Sequence, residues 1–204
     1  MNSWRSRSLA RLLAAMALLA CSSPDGATSD DATSAPGEVG PCVPGATFTA
    51  YNSTFADFHS WPSSPAVSDA AFDSPHTSGP MTEFINRLPP VGSTEFPVGT
   101  VIVKETNGGD PTTRQIFAMV KSGGCINADG AIDWLWYQLA NEASGTNDAG
   151  AGAQILWRGV APPAGTDPYL AGVSCNGCHV GAATNDFVWS TPLQLSRLEG
   201  DAGR

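Results

Sequence analysis

Thr100-Val101-Ile102-Val103-Lys104-Glu105 is a run of mostly β-branched residues between two sets of turn formers, Pro97-Val98-Gly99 before it and Asn107-Gly108-Gly109 after it. β-Branched side chains lose rotamer freedom in a helix and pack well on a pleated surface, so the run predicts a strand. Arg114 to Lys121 (RQIFAMVK) predicts a second strand, ended by Gly123-Gly124, and the 107–113 connection makes the two a long hairpin. Working outward, Met81 to Leu88 (MTEFINRL) predicts an earlier strand stopped by Pro89-Pro90, and Ile155 to Val160 (ILWRGV) a later one. Ala131 to Leu139 (AIDWLWYQL) fits strand or helix; its aromatic content, Trp134, Trp136 and Tyr137, favours strand. Gly and Pro number 22 and 16 among 204 residues, which suits a turn-rich antiparallel sheet better than a helical bundle. The expected class is mainly β, an α+β domain with few short helices.

The chemistry lies nearer the C-terminus, in Cys175-Asn176-Gly177-Cys178-His179. C-x-x-C-H is the attachment signature of a c-type haem. Two thiols three residues apart on one helical turn can each add to a haem vinyl group, and the next residue then turns an imidazole toward the iron from the same face. Gly177 leaves the backbone bare where it approaches the porphyrin edge. A thioredoxin-type C-x-x-C would need a βαβ surround, which this sequence lacks. A structural zinc site would need two more ligands at matched spacing, and His59 and His76 lie roughly a hundred residues upstream. The expectation is one covalent haem c on a short helix, with Cys175 and Cys178 as attachment points and His179 as the iron ligand.

The N-terminus agrees with this chemistry. Arg5, Arg7 and Arg11 precede a short apolar run, Leu12 to Ala20, too short to span a bilayer as a permanent helix. Residues 1–20 read as a signal peptide. The ending Leu18-Leu19-Ala20-Cys21 resembles the lipobox of bacterial lipoproteins, which would make Cys21 the lipidated first residue of the mature chain. Ser22 in the next position goes with outer-membrane sorting, so the expected location is a bacterial outer membrane, facing the periplasm. Residues 21–41, rich in Ser, Asp, Ala, Pro, Gly and Thr, read as a flexible linker, and 42–204 as the folded domain. Covalent haem attachment in bacteria occurs outside the cytoplasmic membrane. Of the five cysteines, Cys42 and Cys125 are then left over, and in an oxidising compartment they are a disulfide candidate; two independent buried thiols are the alternative. All 19 acidic residues follow Cys21, against 7 basic ones, a formal charge of −12 for the mature chain. Such a chain is a poor partner for nucleic acid, would meet a membrane only through its lipid, and suits a basic redox partner.

The order of these pieces resembles the cytochrome P-460 family, which includes cytochrome c′-β. Glu95-Phe96-Pro97-Val98-Gly99-Thr100-Val101-Ile102-Val103-Lys104-Glu105 is similar to that family's Phe-x-x-Gly-Thr-Val-x-Val-Lys-Glu strand. Ala118-Met119-Val120-Lys121, Trp134-x-Trp136-Tyr137 and the haem motif follow. Asn185-Asp186-Phe187-Val188-Trp189-Ser190 resembles the family's Asp-x-Val-Phe-Thr tail. The likeness runs, with gaps, from Met81 to Leu195. It implies that His179 is the proximal ligand of a haem open on its distal side, its second ring nitrogen held by a carbonyl or carboxylate. It puts Lys104 where catalytic members carry a lysine cross-linked to the porphyrin; those members oxidise hydroxylamine, whereas others bind nitric oxide or carbon monoxide. Homodimers are common in the family.

There are departures. Phe117 stands where catalytic members carry a distal acid, Met81 replaces an aromatic, and the expected arginine is out of register, with Arg87 nearby. Glu83 and Glu105 are the alternative bases, each expected as a solvated carboxylate. His59, His76, Met81 and Met119 are the donors available for a sixth ligand; Trp134, Trp136 and Trp157 are candidate pocket walls or plain core. Two classes stay open: an oxidoreductase acting on hydroxylamine or nitric oxide, for which Lys104 speaks, and a non-catalytic gas-binding or electron-transfer cytochrome, for which Phe117 speaks.

Overall fold

Strand pairing follows chain order. The computed structural model describes residues 42, 44–64, 67–68, 80–106, 114–141, 153–163 and 174–198, all within a compact unit spanning Val39–Arg204. Among the described residues six strands form one antiparallel sheet: β1 (Val67–Ser68), β2 (Pro80–Ile85), β3 (Val101–Thr106), β4 (Gln115–Lys121), β5 (Trp134–Leu139) and β6 (Ile155–Gly159), each beside its sequence neighbour. The helices among the described residues are short: α1 (Cys175–His179), α2 (Leu195–Leu198) and 3₁₀ segments at Asn52–Phe55, Phe58–Ser60 and Val180–Asn185. The protein is mainly β, and α1 consists of the C-x-x-C-H residues. Residues 1–20, read above as a signal peptide, Cys21, residues 21–41, read as a linker, His76 and the 107–113 connection lie outside the described residues.

Strand ends differ from the sequence expectations for local reasons. β2 stops at Ile85, well before Pro89-Pro90, because the Asn86 side chain takes over the pairing: its Nδ2 donates to the Gly99 carbonyl and its Oδ1 accepts the Val101 N–H, both at 2.9 Å. β3 starts one residue late because Gly99, at φ +89, sits in a turn closed by the Thr100 N–H on the Pro97 carbonyl. Ala131–Asp133 belongs to a turn, with Asp133 at φ +70 and its Oδ1 accepting the Cys125 N–H at 2.8 Å. β1, only two residues long, had no signal in the sequence.

Both faces of the sheet are covered. On one face Val101, Val103, Ile116, Ala118, Val120, Tyr137 and Leu139 pack against Ala50, Phe55 and Phe58 from the N-terminal segment. On the other, Ile85, Ile102, Met119, Trp134 and Trp136 meet Phe187, Val188, Leu193 and Leu195 from the C-terminal segment. A strand buried on two sides needs apolar residues in consecutive positions, which is why Val101-Ile102-Val103 does not alternate with polar residues. Each fully buried large side chain contributes about 1.5–3 kcal/mol.

Cys42 and Cys125 are joined by a disulfide, with Cα atoms 5.6 Å apart and 83 residues of separation. It fastens the N-terminal segment where Thr47 bridges Gly123 and the Phe48 N–H donates to the Ser122 carbonyl at 2.8 Å. Gly123 is required there: it holds φ +68, and a Cβ would fall 2.3 Å from the Ala46 carbonyl oxygen. Replacing both cysteines by serine is expected to cost about 2–5 kcal/mol, read as a lower urea midpoint that added reductant does not shift further.

Candidate functional site

The cavity face follows from strand register. Glu83 pairs with Lys104, Lys104 with Phe117, Phe117 with Gln138 and Gln138 with Trp157, so these residues form one transverse row. Ile85, Ile102, Met119 and Trp136 form the next row, two residues along each strand and on the same face. The C-terminal segment lies over both rows and encloses a cavity of about 540 Å³. Its sheet wall includes Met81, Glu83, Lys104, Phe117, Met119 and Trp157; its roof includes Cys175, Cys178 and His179.

The roof is anchored by local chemistry. Ser174 caps α1, its Oγ accepting the Gly177 N–H at 2.9 Å. Asn176, between the two cysteines, docks the turn onto the sheet: its amide pairs reciprocally with Asn127 at 2.7 Å, and its Oδ1 accepts the Trp136 Nε1–H at 3.0 Å. Gly130 makes room for it, since a Cβ there would lie 2.3 Å from Asn176 Nδ2. The thiols of Cys175 and Cys178 are not in a disulfide. Trp189 donates its indole N–H to the Cys178 carbonyl at 2.7 Å.

His179 closes α1 with its ring centroid 4.4 Å from that of Trp136. Its Nδ1–H donates to the Phe187 carbonyl at 2.7 Å, which leaves Nε2 as the basic nitrogen. Burial holds the imidazole pKa down at about 4; the Phe187 carbonyl opposes that effect and the Lys104 charge adds to it. His179 is therefore neutral near pH 7, as a metal ligand must be. Behind it, Asp186 pairs with Lys121 at 2.7 Å, both side chains buried. Burial pushes the Asp186 carboxyl pKa up, against the pull of the Lys121 ammonium and the N–H donors of Phe96 and Trp134.

Glu83, Lys104, Phe117, Cys175, Cys178 and His179, six residues singled out from sequence, line this one cavity. Glu83 is not the solvated carboxylate expected: it is 6 % exposed and accepts a hydrogen bond from the Ser190 hydroxyl. Glu105 is likewise buried, but on the opposite face, where it pairs with His59 at 2.7 Å and Arg114 at 3.3 Å. Glu105 and His59 are thus removed as base and as sixth ligand; adjacent residues of a strand point to opposite faces. Met81 and Met119 do line the cavity. Arg87 is turned away, its guanidinium donating to the Val98 carbonyl. Trp136 and Trp157 are walls, whereas Trp134 is core, 0 % exposed. Sequence reasoning missed Asn127, Asn176 and Ser190, whose partners lie 49 and 107 residues away and leave no local signal.

Among the described residues no group of three or more His, Cys, Asp or Glu side chains is placed to hold a bare metal ion. The donor set does fit a haem. Two thiols and a neutral imidazole share one helical turn, the imidazole is oriented through its second nitrogen, and the adjoining cavity falls within the usual range of cofactor sites, about 300–1,000 Å³. Compared with protein-family models, curated proteins and solved structures, the chain matches none.

Proposed function

We propose that the protein is an exported monohaem c-type cytochrome of P-460 type, lipid-anchored through Cys21 and carrying out redox chemistry on a small nitrogen species such as hydroxylamine or nitric oxide. The observation that carries this reading is the hold on His179: it ends the turn bearing both thiols, and the Phe187 carbonyl takes its Nδ1–H at 2.7 Å beside a cavity of about 540 Å³. Bound haem would supply a redox-active iron able to take a small nitrogen or diatomic ligand. Cys175 and Cys178 would hold it by thioether bonds and His179 through Nε2. Lys104 lines the same cavity, in keeping with the cross-linking lysine of the P-460 resemblance. Glu83 supports turnover: a buried carboxylate on the cavity wall can accept a proton released from a substrate N–H bond, directly or through the Ser190 hydroxyl. A basic carrier protein would take the electrons, drawn to a mature chain, without residues 1–20, of formal net charge −12.

Phe117 favours the second reading, a cytochrome that binds diatomic gas or relays electrons without turnover. It lies in the same row as Glu83 and Lys104 and gives the cavity an apolar wall. The optical spectrum and intact mass of the matured protein separate the two. A red-shifted ferrous Soret band that disappears in Lys104→Ala supports the cross-linked enzyme. Glu83→Gln is then expected to lower hydroxylamine turnover by about 10²–10⁴-fold, with nitric oxide binding unchanged. An ordinary ferrous c-haem spectrum, insensitive to Lys104→Ala, supports the gas-binding or electron-transfer protein. A chain that gains no haem mass in a host competent for attachment overturns both.

A further inference from the structure

We infer that Lys121 and Asp186 are a positioning pair for His179, acting through the Phe187 carbonyl. Neither residue is among those lining the cavity. Lys121 is the last residue of β4; Asp186 follows the 3₁₀ segment after α1, 65 residues later. Their side chains meet at 2.7 Å and are only 4 % and 7 % exposed. Lys121 Nζ also lies 5.3 Å from the Trp134 ring centroid. The Asp186 carboxylate accepts two further N–H groups, from the Phe96 backbone at 2.8 Å and Trp134 Nε1 at 3.4 Å. Three donors from three separate parts of the chain therefore fix one carboxylate.

The backbone around that carboxylate shows what the fixing achieves. Asp186 and Phe187 are consecutive non-glycine residues in the left-handed region, at φ +49 and +65. Such residues stay there only when their surroundings impose it. The reversal brings the Phe187 carbonyl back onto His179 Nδ1, while the Phe187 N–H is held by the Ala182 carbonyl at 2.9 Å. An imidazole that donates from Nδ1 is fixed in one tautomer, and the strength of that bond sets the basicity of Nε2. The consequence for an iron rests on the haem reading above; the consequence for the imidazole does not.

The test uses two double variants. Lys121→Met with Asp186→Ala removes the charges, the acceptor and the tolerance for left-handed backbone. Lys121→Met with Asp186→Asn removes the charges but keeps a neutral acceptor and a residue that tolerates that conformation. In the haem-free chain, nitrogen NMR of His179 is expected to show one Nδ1–H tautomer in the parent. In the alanine variant we expect mixed tautomers and Nδ1–H exchange at least tenfold faster, with the asparagine variant between the two. In the haem-loaded chain, the iron–imidazole stretching band should move to lower frequency and the midpoint potential should rise, in the same order. Folded variants whose His179 signals match the parent would overturn the inference. If the alanine variant does not fold, the asparagine variant decides by the same signals. A parent chain that gains no haem overturns the proposed function and leaves the haem-free comparison to settle this one.

Discussion

Serine at both Cys175 and Cys178 is expected to leave the matured chain without the added mass of a haem, with no chromophore surviving denaturation. The substitution exchanges only the two sulfur atoms for oxygen. Ser174 still caps α1 and Asn176 still docks the turn on Asn127 and Trp136, so the sheet and the cavity should persist. His179 keeps its bond to Phe187, and on the proposed reading added haem should bind reversibly where the parent would hold it permanently. Circular dichroism like the parent's, together with loss of the covalent haem signal in a denaturing gel, is the predicted pair of results. A double-serine chain that keeps an unextractable chromophore would mean that Cys175 and Cys178 are not the attachment points.

Trp134→Ala carries the largest expected loss of stability from one side chain, about 3–5 kcal/mol, measurable as a fall in denaturant midpoint. The side chain is 0 % exposed on β5. Its ring packs edge-on to Phe96 at 5.9 Å, lies beside the Lys121 ammonium and offers its N–H to Asp186. Truncation would open a cavity and also strip a donor from a buried carboxylate, two costs of different kind in one place. Leu156→Ala is the control: on β6 and 54 % exposed, it should change stability by no more than about 0.5 kcal/mol. Equal effects from the two substitutions would mean that the Trp134 face is not the tightly packed core described.

What could be read in advance was local. The strands at 101–106 and 115–121 announce themselves because β-branched and apolar residues cluster between turn formers within a few positions. C-x-x-C-H is legible for the same reason: its meaning lies in the spacing of five adjacent residues. The strand ends were not, because Asn86 and Asp133 terminate pairing through side-chain hydrogen bonds that composition does not encode. Nor was the burial of Glu83 and Glu105. In a sheet covered on both faces, polar residues no longer mark the solvent side, so the alternation that normally separates inside from outside is lost.

By itself, then, the sequence determined that the chain would form antiparallel strands and carry two thiols and an imidazole on one turn near its C-terminus, since both follow from interactions among near neighbours. Only the tertiary structure decided that Lys104, Glu83 and Phe117 face those thiols while Glu105 and His59 face away. It alone brought the Phe187 carbonyl to His179 and Lys121 to Asp186. Strand register and the docking of the C-terminal segment set those contacts, and both depend on long-range packing that no short stretch of sequence specifies.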